Sequence, residues 1–196
     1  MLFRSKAQGF FLNISNFQAT DHLQKYGTWI SSCIAFANDP EEGGWRLGHY
    51  SWCASQYYPA NPSDFSTWGL TDAWYAGNLG TAVPTTHFVV DTSRNGQGPW
   101  TPPAHPAGDA QDWCNPPDRG LGMRPTANTG VALLDAYLWV KIPGQSDGQC
   151  TRWNPAGGID PVRGIADPAA GAWFPAMALE LARNANPAIK VPSFIK

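Results

Sequence analysis

Three short apolar runs each lead directly into a polar or glycine-containing segment, and this repeat constrains the fold more than any other feature of the chain. The runs are residues 9–17 (GFFLNISNF), 87–91 (HFVVD) and 133–141 (LLDAYLWVK). In the first, Phe10, Leu12 and Ile14 alternate with Phe11, Asn13 and Ser15, a period of two that predicts a strand. The second predicts a buried strand, with Thr92-Ser93-Arg94-Asn95-Gly96 as the polar turn after it. In the third, Leu134, Ala136, Leu138 and Val140 share one face and Asp135, Tyr137, Trp139 and Lys141 the other; the polar loop 142–150 follows. Helical spacing begins at a cap on Thr20 or Asp21 and runs to about Ser32, with Leu23, Tyr26 and Ile30 in one stripe. It returns over 172–185, where Trp173, Met177 and Leu181 share a face, Pro175 fits only a first turn, and Asn186-Pro187 marks the stop. Strands and helices in this order read as α/β. In α/β barrels the chemistry collects at the carboxyl ends of the strands. Three strands do not close a barrel, so these elements read as part of one.

Residues 33–85 show no sustained period. A loop of this length in a compact domain is functional or disordered. Its aromatics (Trp45, Tyr50, Trp52, Tyr57, Tyr58, Trp68, Trp74, Tyr75) favour an ordered, packed lid, with short helices at about 62–67 and 70–79. A Cys33–Cys53 bridge would tie its first half to the preceding helix.

Composition removes several function classes. Charged residues are 14% of the chain and the net charge is -2. Nucleic-acid binding, which needs basic clusters, is therefore not expected. No stretch approaches the roughly 20 apolar residues of a membrane span. The 10 Trp, 9 Phe and 6 Tyr can fill the core, and several exposed in a groove would suit stacking on sugar rings in a neutral polymer. Cys33, Cys53, Cys114 and Cys150 fit no metal-ligand spacing, and an even count in such a chain suggests two disulfides and export. Met1-Leu2-Phe3-Arg4-Ser5-Lys6 lacks the apolar centre and cleavage site of a signal peptide. His22, His49, His87 and His105 have no ligand spacing, and neither a GxSxG elbow nor a Walker loop occurs. Neither a metal nor an organic cofactor is expected.

The candidate chemistry follows the strands: Asn13 and Asn16; Asp91, Arg94 and Asn95; and Lys141, Gln145 and Asp147. Asp112-Trp113-Cys114-Asn115-Pro116-Pro117 lies between the last two sets. Amides, cations, a carboxylate and a stacking Trp suit hydroxyl recognition with acid–base chemistry. More plainly, Arg94 could pair with Asp91 to stabilise a turn, Lys141 could be a solvated strand end, and Asp147-Gly148 could be only a turn.

The blocks HFVVDTSRNGQGPW, DWCNPPDRGLGMRPTANTG and LLDAYLWVKIPGQSDGQC, preceded by GFFLNISNF and followed by AGAWFPAMALELARNANP, resemble glycoside hydrolase family 6 in family order. The resemblance implies an α/β fold that is the C-terminal part of a distorted (β/α) barrel, with 33–85 as an aromatic-rich loop insertion. It implies that 1–196 is a partial catalytic domain lacking the N-terminal half of the barrel, and hydrolysis of β-1,4-glucosidic bonds in cellulose or a related β-glucan with inversion. Asp147 matches the proposed base, Lys141 a substrate-binding lysine, and Trp113 a Trp that stacks on glucose. Asn16 and Arg94 match cleft positions. Gln145, also placed at the substrate, stands where the family usually has Glu, which removes a negative charge near Asp147. A Cys114–Cys150 bridge matches the family pattern. The family's acid lies on blocks before GFFLNISNF, and residues 1–8 contain no Asp or Glu. The isolated chain is therefore expected to be inactive, and a non-catalytic glucan-binding fragment or pseudoenzyme is the second reading. The full-length protein is expected to be a secreted monomer. Endo and exo action are not distinguished.

Overall fold

The computed structural model describes residues 9–40, 44–154 and 156–190. Expectations placed on residues 1–8 lie outside them. Along the chain come β1 (Gly9–Leu12), α1 (Thr20–Asn38), two short 3-10 turns (Tyr50–Trp52 and Phe65–Thr67), α2 (Trp68–Asn78), β2 (His87–Asp91), β3 (Leu134–Leu138) and α3 (Pro175–Arg183). The strands form one sheet in the order β1-β2-β3. Phe88 donates to the Leu133 carbonyl and Thr92 to that of Leu138, so partners advance together along β2 and β3, a parallel register.

The chain divides into two compact units: Met1–Leu12, Asp21–Val89 and Ala127–Ala136 in the first, and Asn13–Thr20, Val90–Thr126 and Tyr137–Lys196 in the second. Counted by residue, β2 and β3 begin in the first unit and end in the second, and the segments after all three strands belong to the second.

In the first unit, α1 runs to Asn38 rather than stopping near Ser32. Cys33 sits on the helix, and the following Ile34–Asn38 contains no breaker. Phe36 and Ala37 extend the buried stripe, which is Leu23, Gly27, Trp29 and Phe36 rather than the expected Tyr26 and Ile30. Asp39-Pro40 ends it, because proline disfavours helical backbone in the residue before it. Gly27 permits close approach to β2: a Cβ there would lie 2.2 Å from the Phe88 ring.

Only part of the described aromatic segment after α1 is packed. Trp29, Ala54 and Tyr75 form a buried cluster flanked by Trp68 and Trp74. Tyr75 donates its hydroxyl to the Ala54 carbonyl at 2.8 Å, and burial pushes its pKa upward. Arg46, 1% exposed, pairs with Asp39 and donates to the carbonyls of Asn78 and Leu79 at the end of α2. A cation there complements the helix C-terminus. Trp45, Trp52, Tyr57 and Tyr58 remain exposed. The helix expected at 62–67 is only the 3-10 turn at 65–67.

In the second unit, Leu121, Phe174, Met177, Leu181 and Ala185 form the core, with Trp139 against it. The closing helix begins at Pro175, not Ala172. Pro175 holds Phe174 out of helical backbone, and residues 171–174 pair instead with 144–146 through Gly171 to Ser146, Ser146 to Ala172 and Phe174 to Gly144.

Candidate active site

The expected strand 9–17 stops at Leu12 because Asn13 and Ser15 have φ of 64° and 59°. Asn tolerates this left-handed backbone, and its side chain secures it: Nδ2 donates to the Asp91 carbonyl at 2.8 Å and Oδ1 accepts from Gln18 N–H at 3.0 Å. Phe17 is thereby buried and Asn16 left exposed.

β2 ends at Asp91, 1% exposed. Its Oδ2 accepts from the N–H groups of Ser15 (3.0 Å) and Lys141 (3.1 Å), and its Oδ1 from those of Ser93 (2.9 Å) and Val140 (3.2 Å). One carboxylate thus ties together the segments after all three strands. It also explains why β3 ends at Leu138 rather than Lys141: Val140 and Lys141 turn their donors to Asp91 instead of continuing the ladder.

Arg94 does not pair with Asp91. It reaches Asp147, Nη1 to Oδ2 at 2.6 Å, and donates from Nη2 to the Ser15 carbonyl. Its guanidinium lies 4.3 Å from the Phe17 ring centre. Lys141 Nζ stands 3.3 Å from Asp147 Oδ1, with only 14% of its side chain exposed, so it is no solvated strand end. The third donor is the Asn115 N–H, 3.0 Å from Asp147 Oδ2, and Asn115 Oδ1 accepts the Asp147 N–H at 2.8 Å. Asn115 Nδ2 continues to Ser146 Oγ, the Gly148 carbonyl and Asp167 Oδ2. Asp147 therefore sits among donors only, on a loop fixed from both sides.

Asn16 and Trp113 meet in a cleft of about 260 Å³ lined also by Phe17, Gln18, Pro99, Trp100 and Asp112. Trp113 is 56% exposed there, an indole face available to a ligand. Gln145 is not part of that lining; its Nε2 donates to the Gly171 carbonyl at 3.2 Å. The structure thus groups Arg94 and Lys141 on Asp147, and Asn16 with Trp113 in the cleft, with Phe17 touching both sets.

Sequence reasoning missed Asn115 and the buried charges of 151–170. Arg152 binds Asp109 and Asp160 at 2.8 Å each and donates to the Cys114 carbonyl at 2.7 Å. Arg163 binds Glu180 at 2.8 Å and the Asn115 carbonyl at 2.7 Å. The one available signal was the density of Arg and Asp in an otherwise Gly/Pro-rich stretch.

The disulfides are Cys33–Cys53 and Cys114–Cys150. The second closes a separation of 36 residues and stands directly before Asn115. Its replacement by two serines is expected to lower stability by about 3–4 kcal/mol in the chain-entropy model, read as a shift of the urea midpoint. An unchanged midpoint would show the bridge adds nothing. Among the described residues, no helix is long and apolar enough to cross a membrane.

Comparison with known proteins places the chain in a family. Residues 3–185 match the pattern of the Glycosyl hydrolases family 6. The chain is 40% identical over 129 residues to Endoglucanase A of Cellulomonas fimi, covering 66% of this chain and 23% of that protein. It is 45% identical over 106 residues to a probable 1,4-beta-D-glucan cellobiohydrolase C of Aspergillus niger, covering 52% and 22%. The solved endoglucanase Cel6 of Mycobacterium tuberculosis, bound to a methyl-cellobiosyl thio-cellobioside, superposes with a TM-score of 0.51 at 34% identity, over 92% of this chain and 38% of that one. The chain thus spans less than a quarter of the length of these two curated relatives. With the family pattern matched over 3–185, the chain belongs to glycosyl hydrolases family 6.

Proposed function

We propose that this chain supplies the base side, and part of the sugar groove, of an enzyme that hydrolyses β-1,4-glucosidic bonds of cellulose or a related β-glucan with inversion. The observation that carries the proposal is the donor-only setting of Asp147 between Arg94, Lys141 and the Asn115 N–H. A carboxylate has about four acceptor positions. Three donors leave one for the hydrogen of a water.

In the proposed step that water attacks the anomeric carbon on the face opposite the leaving oxygen. Its proton passes to Asp147, directly or through a second water. The C1–O bond breaks with its electron pair going to the glycosidic oxygen, which takes a proton from a carboxylic acid. Inversion needs the two carboxyl groups about 6.5–9.5 Å apart, to admit the water. We place that acid on a segment outside residues 1–196, so that the three-stranded sheet described above forms the C-terminal part of a distorted (β/α) barrel. Arg94 and Lys141 orient Asp147. Lys141 retains donors for a sugar hydroxyl, Trp113 stacks on a glucose ring, and Asn16 binds its hydroxyls. Gln145 keeps its side-chain carbonyl for a hydroxyl while its amide holds Gly171. Two disulfides fit an oxidising, extracellular setting, with the full-length protein a monomer.

The test has two arms. Residues 1–196 alone are expected to release no reducing ends from soluble cellulose. Joined to an acid-bearing N-terminal segment of the family, they are expected to yield α-anomer first by proton NMR. Release by the isolated chain would overturn the location of the acid. First-formed β-anomer would overturn inversion.

A further inference from the structure

The hydrolysis proposed above makes no use of the two acidic residues in 151–170, yet both are among the most buried charged groups of the second unit. Asp160 is 0% exposed and Asp167 4%. Asp160 Oδ1 accepts from Arg152 Nε at 2.8 Å, from Val162 N–H at 2.8 Å and from Arg163 N–H at 3.3 Å. Asp167 Oδ2 accepts from Asn115 Nδ2 at 3.0 Å. The remaining oxygens, Asp160 Oδ2 and Asp167 Oδ1, are buried and receive no donor from any described residue. An oxygen of each carboxylate lies within 4.8 Å of one of the other. Buried polar atoms are rarely left unsatisfied, and two carboxylates that share a dry site do not both ionise readily.

We propose that Asp160 and Asp167 share one proton, and that the proton-bridged pair is a positioning device for Asp147 acting through Asn115. One proton held by the pair removes a like-charge contact and gives a buried oxygen a hydrogen to donate to its neighbour. The charges nearby favour it. Arg152 and Arg163 are the facing cations, and they are already divided among Asp109, Asp160 and Glu180. Counting Asp167, two cations meet four carboxylates, and Cys150, which borders the pair, is held in a disulfide. From Asp167 the path to the site is short. Asn115 Nδ2 bonds Asp167, Asn115 Oδ1 accepts the Asp147 N–H, and the Asn115 N–H bonds Asp147 Oδ2.

The pair makes the site acid-loving. Asp167 is pushed from 3.8 up to about 6, chiefly by burial and further by Asp160, against the pull of Asn115 and Arg163. A carboxyl whose folded pKa is raised contributes stability that is complete below 3.8 and is lost as pH rises through about 6. Above that, both groups are charged and repel each other, and their separation shifts the carboxylate from which Asn115 takes its position, even though a charged oxygen accepts from Asn115 Nδ2 at least as strongly.

Asp167→Asn separates these ideas, because its carbonyl can still accept from Asn115 while its amide donates to Asp160 Oδ2. It imitates the protonated state at every pH. In the wild-type protein the melting temperature is expected to fall between pH 3.8 and about 6, and an aspartate carboxyl carbon to titrate near the upper value by NMR. In Asp167→Asn that titration should vanish and the fall should flatten, and, in the chain joined to an acid-bearing N-terminal segment of the family, the alkaline limb of kcat should move to higher pH with KM unchanged. Asp167→Leu should lower kcat at all pH. An unchanged melting slope in Asp167→Asn, or no aspartate titrating above about 5, would overturn the shared proton. So would a melting temperature raised by calcium and lowered by EDTA, which would put a cation between the oxygens. Melting and NMR need no turnover, so their failure is distinct from failure of the Asp147 proposal on which the kcat limb rests.

Discussion

Replacing Asp147 by Asn in the complete enzyme is expected to lower kcat by about 10²–10⁴-fold, the range for removing a general base, with KM for cello-oligosaccharides nearly unchanged. The split follows from the layout. Asn16 and Trp113, which line the cleft, lie on other segments than Asp147 and keep their places in its absence. The substitution preserves shape, and the Asn carbonyl can still accept from Arg94 and the Asn115 N–H. What it removes is the negative charge between Arg94 and Lys141, a pair of cations otherwise left facing each other. Breaking a buried ion pair can cost about 3–5 kcal/mol of stability, so the rate must be read well below the melting temperature of the variant. A chemical rescue separates lost chemistry from lost fold. Azide needs no deprotonation to attack the anomeric carbon, so it should restore turnover to Asp147→Ala and give the α-glucosyl azide. Wild-type turnover in Asp147→Asn would remove this residue from the mechanism.

What could be read from the sequence, and what could not, divides along one physical line. β2 was legible to the residue because an apolar run bounded by a polar turn has only one reading. The packing of α3 was legible through Met177 and Leu181. The ends of β1, β3 and α1 were not. In β1 the alternation of side chains continues past Leu12, while the backbone turns at Asn13 under bonds to Gln18 and Asp91. Periodicity records faces, not where the hydrogen bonds go. The site shows the same division. Asp147, Lys141 and Trp113 stood out through the motifs around them. Arg94 has Asp91 three residues away, yet its partner lies 53 positions along the chain. Asn115 and the charges of 151–170 carry no period at all, and their significance lies wholly in long-range contacts.

Asp91 follows from the same principle and gives a large expected effect on stability. Its carboxylate receives four backbone donors, from Ser15, Ser93, Val140 and Lys141. Truncation to Ala leaves all four without an acceptor in a site that is 1% exposed. Each buried orphan costs about 1–3 kcal/mol, and water entering the space of the lost side chain offsets part of the sum. The expected net loss is about 4 kcal/mol, at the upper end for a single substitution. Asn is a poor substitute, because its amide turns two donors toward N–H groups that also donate. Exposed Asp135 on β3 supplies the control: its replacement by Ala removes an exposed pairing with His87 at 2.6 Å and should change stability by less than about 1 kcal/mol. The two effects are compared by urea unfolding of the same protein. The loss at Asp91 should be accompanied by a fall in kcat, since Ser15 and Lys141, both fixed by this carboxylate, hold Arg94 and Asp147 respectively. A loss under about 1 kcal/mol, the size of one ordinary hydrogen bond, would mean that the three segments are set by their own turns. Asp91 would then be a passenger in the site rather than the group that assembles it.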